Sequence, residues 1–167
     1  MKTPSMFRFL LLVTVLIAVP AAYAQDATRE KTRDRMNTLL NRVGPDLKVA
    51  FQPSSKNQYV FSGMLRDGLK NCDSLEIVIT VTDKETIGFR IFPHYKGEYI
   101  NIDKARNTSQ LLRKLAQLND STFLFWGADD TGDIFTGYTF TLESGFPDEA
   151  IKIVLSSISP SLHLKAP

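Results

Sequence analysis

Apolar and polar residues alternate through the middle of the chain, which is the pattern of strands with one buried face. Apolar side chains occupy every second position from Leu75 to Val81, and the pattern returns from Ile87 to Ile91 after a short polar turn. These two runs predict an antiparallel hairpin. Less regular extended segments are predicted at 47–51 and 59–65 before it, and at 99–102 after a polar loop over 93–98.

Three other segments repeat their apolar residues at the spacing of amphipathic helices. The first is expected to stop at Gly44, because a glycine followed by a proline, here Pro45, is typical of a helix C-terminus. The last opens at Pro147, whose missing N–H costs nothing in the first helical turn. The predicted helices cover 26–43, about 103–119 and 147–160.

A second hairpin is predicted between the last two helices, with a short apolar strand at 123–126 and a longer one at 134–142. The order of elements is therefore helix, about four strands, helix, two strands, helix. Neighbouring hairpins favour an antiparallel sheet, and three amphipathic helices can cover one face of it. The sequence thus predicts an α+β domain rather than a doubly wound parallel sheet.

The first 24 residues have the pattern of a cleavable secretory signal peptide. Lys2 and Arg8 come before an uninterrupted apolar run at 9–19, and small residues ending in Ala24 come after it. The apolar run is shorter than the roughly 18 to 20 residues that span a bilayer. We therefore expect cleavage between Ala24 and Gln25, and a mature protein in the periplasm or the medium.

Removal of the signal segment changes the charge balance. The full chain of 167 residues has 20 basic and 18 acidic residues, and two of the basic ones lie in the signal segment, so the mature domain at 25–167 is formally neutral. Affinity for nucleic acid comes largely from a surplus of basic residues on one face. Nucleic-acid binding is therefore set aside, and no membrane span is expected after cleavage.

Residue types that carry metal or nucleophilic chemistry are sparse. His94 and His163 are far apart, and neither has a cysteine or a second histidine at ligand spacing, so both are expected in surface loops. Cys72 is alone and has no basic neighbour to lower its pKa, which favours an unreactive thiol and leaves an intermolecular disulfide open. No catalytic residue, metal site or cofactor is predicted.

The sharpest polar feature is the acidic cluster of Asp129, Asp130 and Asp133. Such a cluster could bind calcium or supply the carboxylates of a small hydrolase. The ligand order of a calcium loop is missing, however, and Asp and Gly are common in a turn between two strong strands. The turn is favoured, and the hydrolase is kept as an alternative.

The aromatic residues of the second hairpin point to a binding surface. Phe125 and Trp126 are adjacent, so their side chains lie on opposite faces of a strand, and Phe135 lies on the opposite side of its strand from Tyr138. A hairpin with two apolar faces needs cover on both. Helices on both faces are favoured, and the alternative is an uncovered patch that includes these four residues and binds a partner protein or a second copy.

The second half of the chain resembles the YbjN family. The resemblance rests on the leucine-rich run 111–119, Phe123-Leu124-Phe125-Trp126, the turn Asp130-Thr131-Gly132-Asp133 and the helix from Pro147. It is clearest from about Leu111 to Ile158. The family is labelled a bacterial sensory transduction regulator, and its fold is akin to that of type III secretion chaperones. The resemblance implies a binding or chaperone-like domain without enzymatic activity, and it transfers no functional residue.

Together these observations favour an exported, non-catalytic binding module, of sensory or regulatory type, that recognises an unknown protein partner through an apolar sheet face or a helix groove. Two alternatives stay open. One is a small hydrolase that uses the acidic turn. The other is a carrier of a small apolar ligand, which a closed cavity between sheet and helices would support.

Overall fold

The computed structural model describes residues 28–161, with side chains up to residue 158. Within that range, helix α1 occupies 28–47, α2 is Thr108–Ser121 and α3 is Asp148–Ser161. The strands are β1 Gln52–Pro53, β2 Val60–Leu65, β3 Ser74–Val81, β4 Thr86–Tyr95, β5 Glu98–Tyr99, β6 Phe125–Ala128 and β7 Ile134–Thr141. The predicted order of elements is confirmed. The signal segment, its cleavage site at Ala24 and Gln25, and His163 lie outside the described residues.

The seven strands of the described residues form one antiparallel sheet. Its order is β1-β2-β3-β4-β7-β6, and β5 pairs with the end of β4. The predicted hairpin of β3 and β4 is its longest pairing, with Ile77 opposite Ile91 and Ile79 opposite Phe89. Because side chains alternate along each strand, these apolar pairs share one face of the sheet. The predicted α+β class, with an antiparallel sheet and three helices, is confirmed.

Strand β4 is longer than the sequence predicted. The expected loop at 93–98 is wrong, because the strand continues through Pro93 to Tyr95 and then turns into β5. Pro93 lies opposite Leu75 of β3, and its carbonyl accepts a hydrogen bond from the Ile100 amide. Strands on both sides hold this segment extended, which overrides the weak strand propensity of proline.

Helix α1 continues past its predicted end at Gly44 and Pro45. The amide of Lys48 donates to the Pro45 carbonyl (3.1 Å), and the amide of Val49 donates to the Gly44 carbonyl (2.9 Å). This pair of bonds closes the helix at Lys48, whose φ is 55°. The predicted extended segment at 47–51 is therefore wrong, since its first residue ends the helix and the short β1 begins only at Gln52.

The other two helices also differ from the prediction at their ends. Helix α2 begins at Thr108 rather than near Asp103, because the side chain of Asn107 caps it by accepting a hydrogen bond from the Gln110 amide (3.0 Å). Helix α3 continues through Pro160 to Ser161. Among residues 28–161, no helix is long and apolar enough to cross a membrane.

All three helices pack on the same face of the sheet. Helices α1 and α3 bury their apolar stripes against β2, β3 and β4 in one core, which includes Met36, Leu40, Phe61, Ile79, Phe89, Ile151 and Leu155. Helix α2 covers the β6–β7 end of the same face through Leu115 and Leu118, which pack with Ile134 and Trp126. Helices on both faces of the second hairpin were expected, but the described helices cover only one.

The first and last helices are also joined at the surface. The carboxylate of Asp148, at the start of α3, forms ion pairs with Arg35 and, at 3.9 Å, with Arg42 of α1. These pairs are partly exposed, so the shared apolar core contributes most of the stability of this contact.

Candidate functional site

The face of the sheet opposite the helices, here called the open face, carries a cluster of aromatic side chains. Phe125 and Phe135 pack edge to face with ring centroids 5.7 Å apart, Phe92 lies 5.7 Å from Phe135, and Tyr99 lies 5.7 Å from Phe92. Phe92 and Phe135 are buried by their neighbours, whereas Phe125 is 44% and Tyr99 is 41% exposed. This aromatic cluster of four rings is therefore a continuous surface with two exposed ends.

Glycines lie opposite two of these rings, and one of them is required by the close approach of its neighbours. Gly137 is opposite Phe125 and Gly127 is opposite Phe135 in the β6–β7 ladder. A Cβ at Gly137 would lie 2.5 Å from the Phe89 carbonyl oxygen and 3.0 Å from the Phe125 ring. The absence of a side chain at this position is thus a packing requirement of the aromatic cluster.

Arg90 places a positive charge beside the aromatic cluster. It projects from β4 opposite Gly137, and its guanidinium carbon lies 4.7 Å from the centroid of the Phe135 ring. A cation at that distance from a ring face is attracted to the π electrons. The arginine side chain itself is exposed, so the guanidinium stays hydrated on its outer side.

A polar group lies at the Tyr99 end of the cluster. The Tyr99 hydroxyl donates a hydrogen bond to the Glu76 carboxylate. This bond, followed by burial and by the negative charges of Glu76, Asp133 and Asp129, raises the pKa of Tyr99 to about 12. The phenol is therefore held as a neutral donor at any physiological pH.

His94 completes this polar group. It was expected in a surface loop, but it lies in β4 opposite Tyr99, with a ring-to-ring distance of 4.3 Å and a side chain only 11% exposed. Its Nε2 lies 3.6 Å from a Glu76 carboxylate oxygen, and within the described part of the chain it has no hydrogen-bond partner. The correction follows from the extra length of β4, which carries the histidine onto the open face.

The acidic cluster forms the turn of the β6–β7 hairpin, as the sequence favoured. Oδ1 of Asp129 accepts hydrogen bonds from the Thr131 amide (3.0 Å), the Thr131 hydroxyl (2.8 Å) and the Asp133 amide (2.9 Å). Slight burial would raise the pKa of Asp129, but these bonds and the charge of Arg90 outweigh it and lower the pKa. Oδ1 of Asp133 accepts a hydrogen bond from the side-chain Nδ2 of Asn101 (2.9 Å), while Asp130 is exposed.

Other candidate chemistry gains little from the structure. Burial and the charge of Asp73 raise the pKa of the half-buried Cys72 thiol, which lowers its reactivity at neutral pH. Among residues 28–161, no group of three or more His, Cys, Asp or Glu side chains is placed to hold a metal ion.

Two concave regions of the described chain lie away from the aromatic cluster. A groove of about 270 Å³ runs between the end of α1, the β2–β3 connection and α3, with Leu65 and Leu155 inside and Asp67 at its rim. A larger concavity of about 920 Å³ follows the outer side of α2 and is lined mostly by polar residues such as Arg113 and Gln117. The first is smaller than a usual ligand pocket and the second is an open concavity at the surface, so neither is the closed cavity that a carrier of an apolar ligand would use.

The four residues predicted for partner binding are divided between the two faces. Phe125 and Phe135 belong to the aromatic cluster on the open face. Trp126 is half-buried beside α2, and Tyr138 packs on the helix side 4.7 Å from Phe140. The open-face patch therefore contains two of the four.

Sequence reasoning missed several members of the open face: Glu76, Arg90, Phe92, His94 and Tyr99. The alternation of β4 carried the signal, because continuing it beyond Ile91 would have placed the next residue on the outward face. Because the predicted strand ended before Pro93, the outward-facing residues that follow Ile91 were not recognised.

Comparison with known proteins bears on the fold alone. No family model matches the sequence, and no curated protein matches it. Among solved structures, the chain is similar to the crystal structure of YbjN from Escherichia coli, a suggested transcription regulator. The TM-score is 0.50 at 16% identity, over 78% of this chain and 84% of that chain. The YbjN-like fold that the sequence resemblance implied is thus supported by the structure.

Proposed function

We propose that this chain is an exported, non-catalytic binding module that docks a protein partner on the open face of its sheet. The observation that carries the proposal is the one-sided packing of the three described helices, which leaves Phe125 and Tyr99 exposed at the two ends of the aromatic cluster. Aromatic side chains are enriched at protein interfaces.

The edges of the sheet are less suited to a partner than its face. Strand β1 has only two residues, one of which is Pro53, and so offers little backbone to an added strand. At the other edge, the outward backbone groups of Trp126 in β6 are already bonded to the side chain of Asn119. Strand addition is thus disfavoured at both ends, which supports docking on the face.

The non-catalytic part of the proposal is supported by how the acidic turn uses its carboxylates. Asp129 and Asp133 accept hydrogen bonds that close the hairpin and fasten the segment around Asn101 to it. A hydrolase of the kind considered needs a pair of carboxylates free to act on a substrate, and only Asp130 of the three is exposed and outside these bonds.

Export rests on the sequence pattern of residues 1–24 and is tested by mass. The full chain is expressed in a bacterial host, and the protein is recovered separately from periplasm, medium and cytoplasm. We expect an intact mass that corresponds to a chain beginning at Gln25, recovered outside the cytoplasm. A cytoplasmic protein that retains Met1 would contradict export. It would not affect the proposal that a partner docks on the open face.

Docking is tested by site-specific photocrosslinking in the native host. A photoreactive phenylalanine analogue is introduced at Gly88, which lies on the open face and has nothing within 4 Å of an added Cβ. The matched control is Ile153, which is 65% exposed on the outer side of α3. We expect adducts of a discrete mass from position 88 that are absent at position 153 and lost when Phe135→Asp is added. Equal adducts at both positions, or none from the open face, would overturn the proposal.

A further inference from the structure

The open face combines aromatic rings with carboxylates at one end, and this combination selects the chemistry of a partner. We infer that the partner presents a basic segment, whose lysine or arginine side chains lie against the aromatic cluster and beside the acidic groups around Tyr99. This inference rests on the proposed function, because it names the partner that the open face would take.

The acidic groups converge on the Tyr99 end of the cluster. Glu76 lies on the open face of β3. Asp129 comes two residues after Gly127 of β6, and Asp133 two residues before Phe135 of β7, so both carboxylates lie on the side of the hairpin that belongs to the open face. The Tyr99 hydroxyl is bonded to Glu76, and the bridge between Asn101 and Asp133 brings the acidic turn to the same end of the sheet. The side-chain hydrogen bonds that Asp129 accepts within the turn all end on Oδ1.

The positive groups on the open face offset this field only in part, through the effect of the Arg90 charge on Asp129. His94 lies against Glu76 and is nearly buried, so it presents little charge to a partner. Arg90 lies over Phe135, where it already makes the contact that a basic partner would make. This position shows that the face of the Phe135 ring accepts a guanidinium. Arg90 therefore competes with a basic side chain of the partner for the same ring.

A basic segment satisfies this surface better than the other protein chemistries. A guanidinium or ammonium gains both the ring faces and the carboxylates, and near the surface these attractions add. An acidic segment would meet Glu76 and Asp129 with like charge, and a purely apolar one would cover these carboxylates without pairing them. The aromatic and acidic groups therefore favour the same ligand.

The test uses a fluorescently labelled oligoarginine peptide, with an oligoglutamate peptide of equal length as its control, and the mature protein. Binding is followed by fluorescence anisotropy at low and physiological salt. We expect the oligoarginine peptide alone to bind, and its affinity to fall as salt screens the carboxylates. Binding of oligoglutamate with equal or higher affinity would overturn the inference.

The decisive variant is Arg90→Gln, because it removes the competitor without removing an aromatic ring. We expect affinity for oligoarginine to rise about two- to fivefold, the value of one exposed cation–π contact. Arg113→Gln on the outer side of α2 is the matched control, because it makes the same change in net charge away from the open face. A loss of affinity in Arg90→Gln, or a gain no larger than that of Arg113→Gln, would contradict the inference.

A second variant locates the site. Phe125→Leu keeps an apolar side chain and the sheet, but it removes the exposed ring at one end of the cluster, so we expect oligoarginine to bind about two- to fivefold more weakly. If crosslinks form at position 88 while the peptide fails to bind, or if the crosslinked partner is a second copy of this chain, the inference fails and the docking surface stands. If the peptide binds but Phe125→Leu and Arg90→Gln leave its affinity unchanged, the peptide binds elsewhere and the inference fails, while the crosslinking result still decides the docking surface.

Discussion

The side-chain amide of Asn119 takes the place of a neighbouring strand against Trp126. Its Nδ2 donates a hydrogen bond to the Trp126 carbonyl at 3.2 Å, and its Oδ1 accepts one from the Trp126 amide. An edge strand otherwise presents such unpaired groups to any other extended chain. One residue at the end of α2 thus both positions β6 and closes it to strand addition.

We expect Asn119→Ala to lower the free energy of unfolding by about 1 kcal/mol, because it removes two hydrogen bonds whose backbone partners can still reach water. Urea denaturation of the mature protein measures this loss, and light scattering measures any self-association through the released edge. Gln117→Ala, on the same helix and exposed, is the control and should change the free energy by less than about 0.5 kcal/mol. Equal effects of the two substitutions would show that the amide contact is dispensable.

Two glycines on the open face should respond in opposite ways to the same substitution. Gly137→Ala places a Cβ 2.5 Å from the Phe89 carbonyl oxygen, and the required shift should cost about 2–3 kcal/mol. Gly88→Ala meets nothing within 4 Å and should stabilise the strand by about 0.5 kcal/mol, because alanine loses less backbone entropy on folding. Thermal and urea denaturation of the pair test this, and similar losses in both would contradict the close approach of strand and ring.

The hydrogen bond between Tyr99 and Glu76 should be visible in an alkaline titration. The pKa of Tyr99 is raised from 10.0 to about 12, so the folded state holds this proton more tightly than the unfolded state does. The resulting stability is fully present below pH 10 and is lost as the pH rises towards 12. Near-ultraviolet absorbance of tyrosinate should show one late titration, which moves towards the ordinary value in Glu76→Gln. A late titration that persists in this variant would assign the shift to another cause.

The carboxylate of Asp129 should stabilise the hairpin turn except in acid. Its pKa is lowered in the folded state, so its contribution is present above the ordinary value of 3.8 and is lost as the pH falls through the folded-state pKa. We expect Asp129→Ala to cost about 1–2 kcal/mol at neutral pH, from the three hydrogen bonds to Oδ1, and less in acid. Asp130→Ala is the control, since Asp130 is exposed in the same turn. Urea denaturation at neutral and acidic pH should separate the two, and a loss that is independent of pH would contradict the role of the charge.

The sequence was sufficient for the elements whose own pattern determines them. The alternation of apolar and polar residues predicted β3 and β7, and the apolar stripes predicted the three helices. In each case one buried face imposes a regular spacing of apolar residues along the chain. The predictions from sequence were wrong where contacts between distant segments determine the end of an element. Pro93 stays in β4 because β3 and β5 flank it, and α1 passes Gly44 and Pro45 because Lys48 accepts the left-handed conformation that closes the helix.

The candidate site was predictable only in part for the same reason. The second hairpin was recognised as two-sided, so Phe125 and Phe135 were identified from local sequence. Their neighbours Phe92 and Tyr99 come from strands that meet the hairpin only through the order of the sheet. Which face of the second hairpin the helices would cover could not be read from the sequence, because that hairpin is apolar on both sides.

The shared core of α1 and α3 has a consequence for how the chain folds. Met36 and Leu40 from the beginning of the domain and Ile151 and Leu155 from its end fill the same space above β3 and β4. A growing chain therefore has no complete core until its last helix has been synthesised, and contacts between such distant segments form slowly. Deletion of α3 alone would leave part of the apolar side of the sheet uncovered, so the smallest part of this protein that folds includes both α1 and α3.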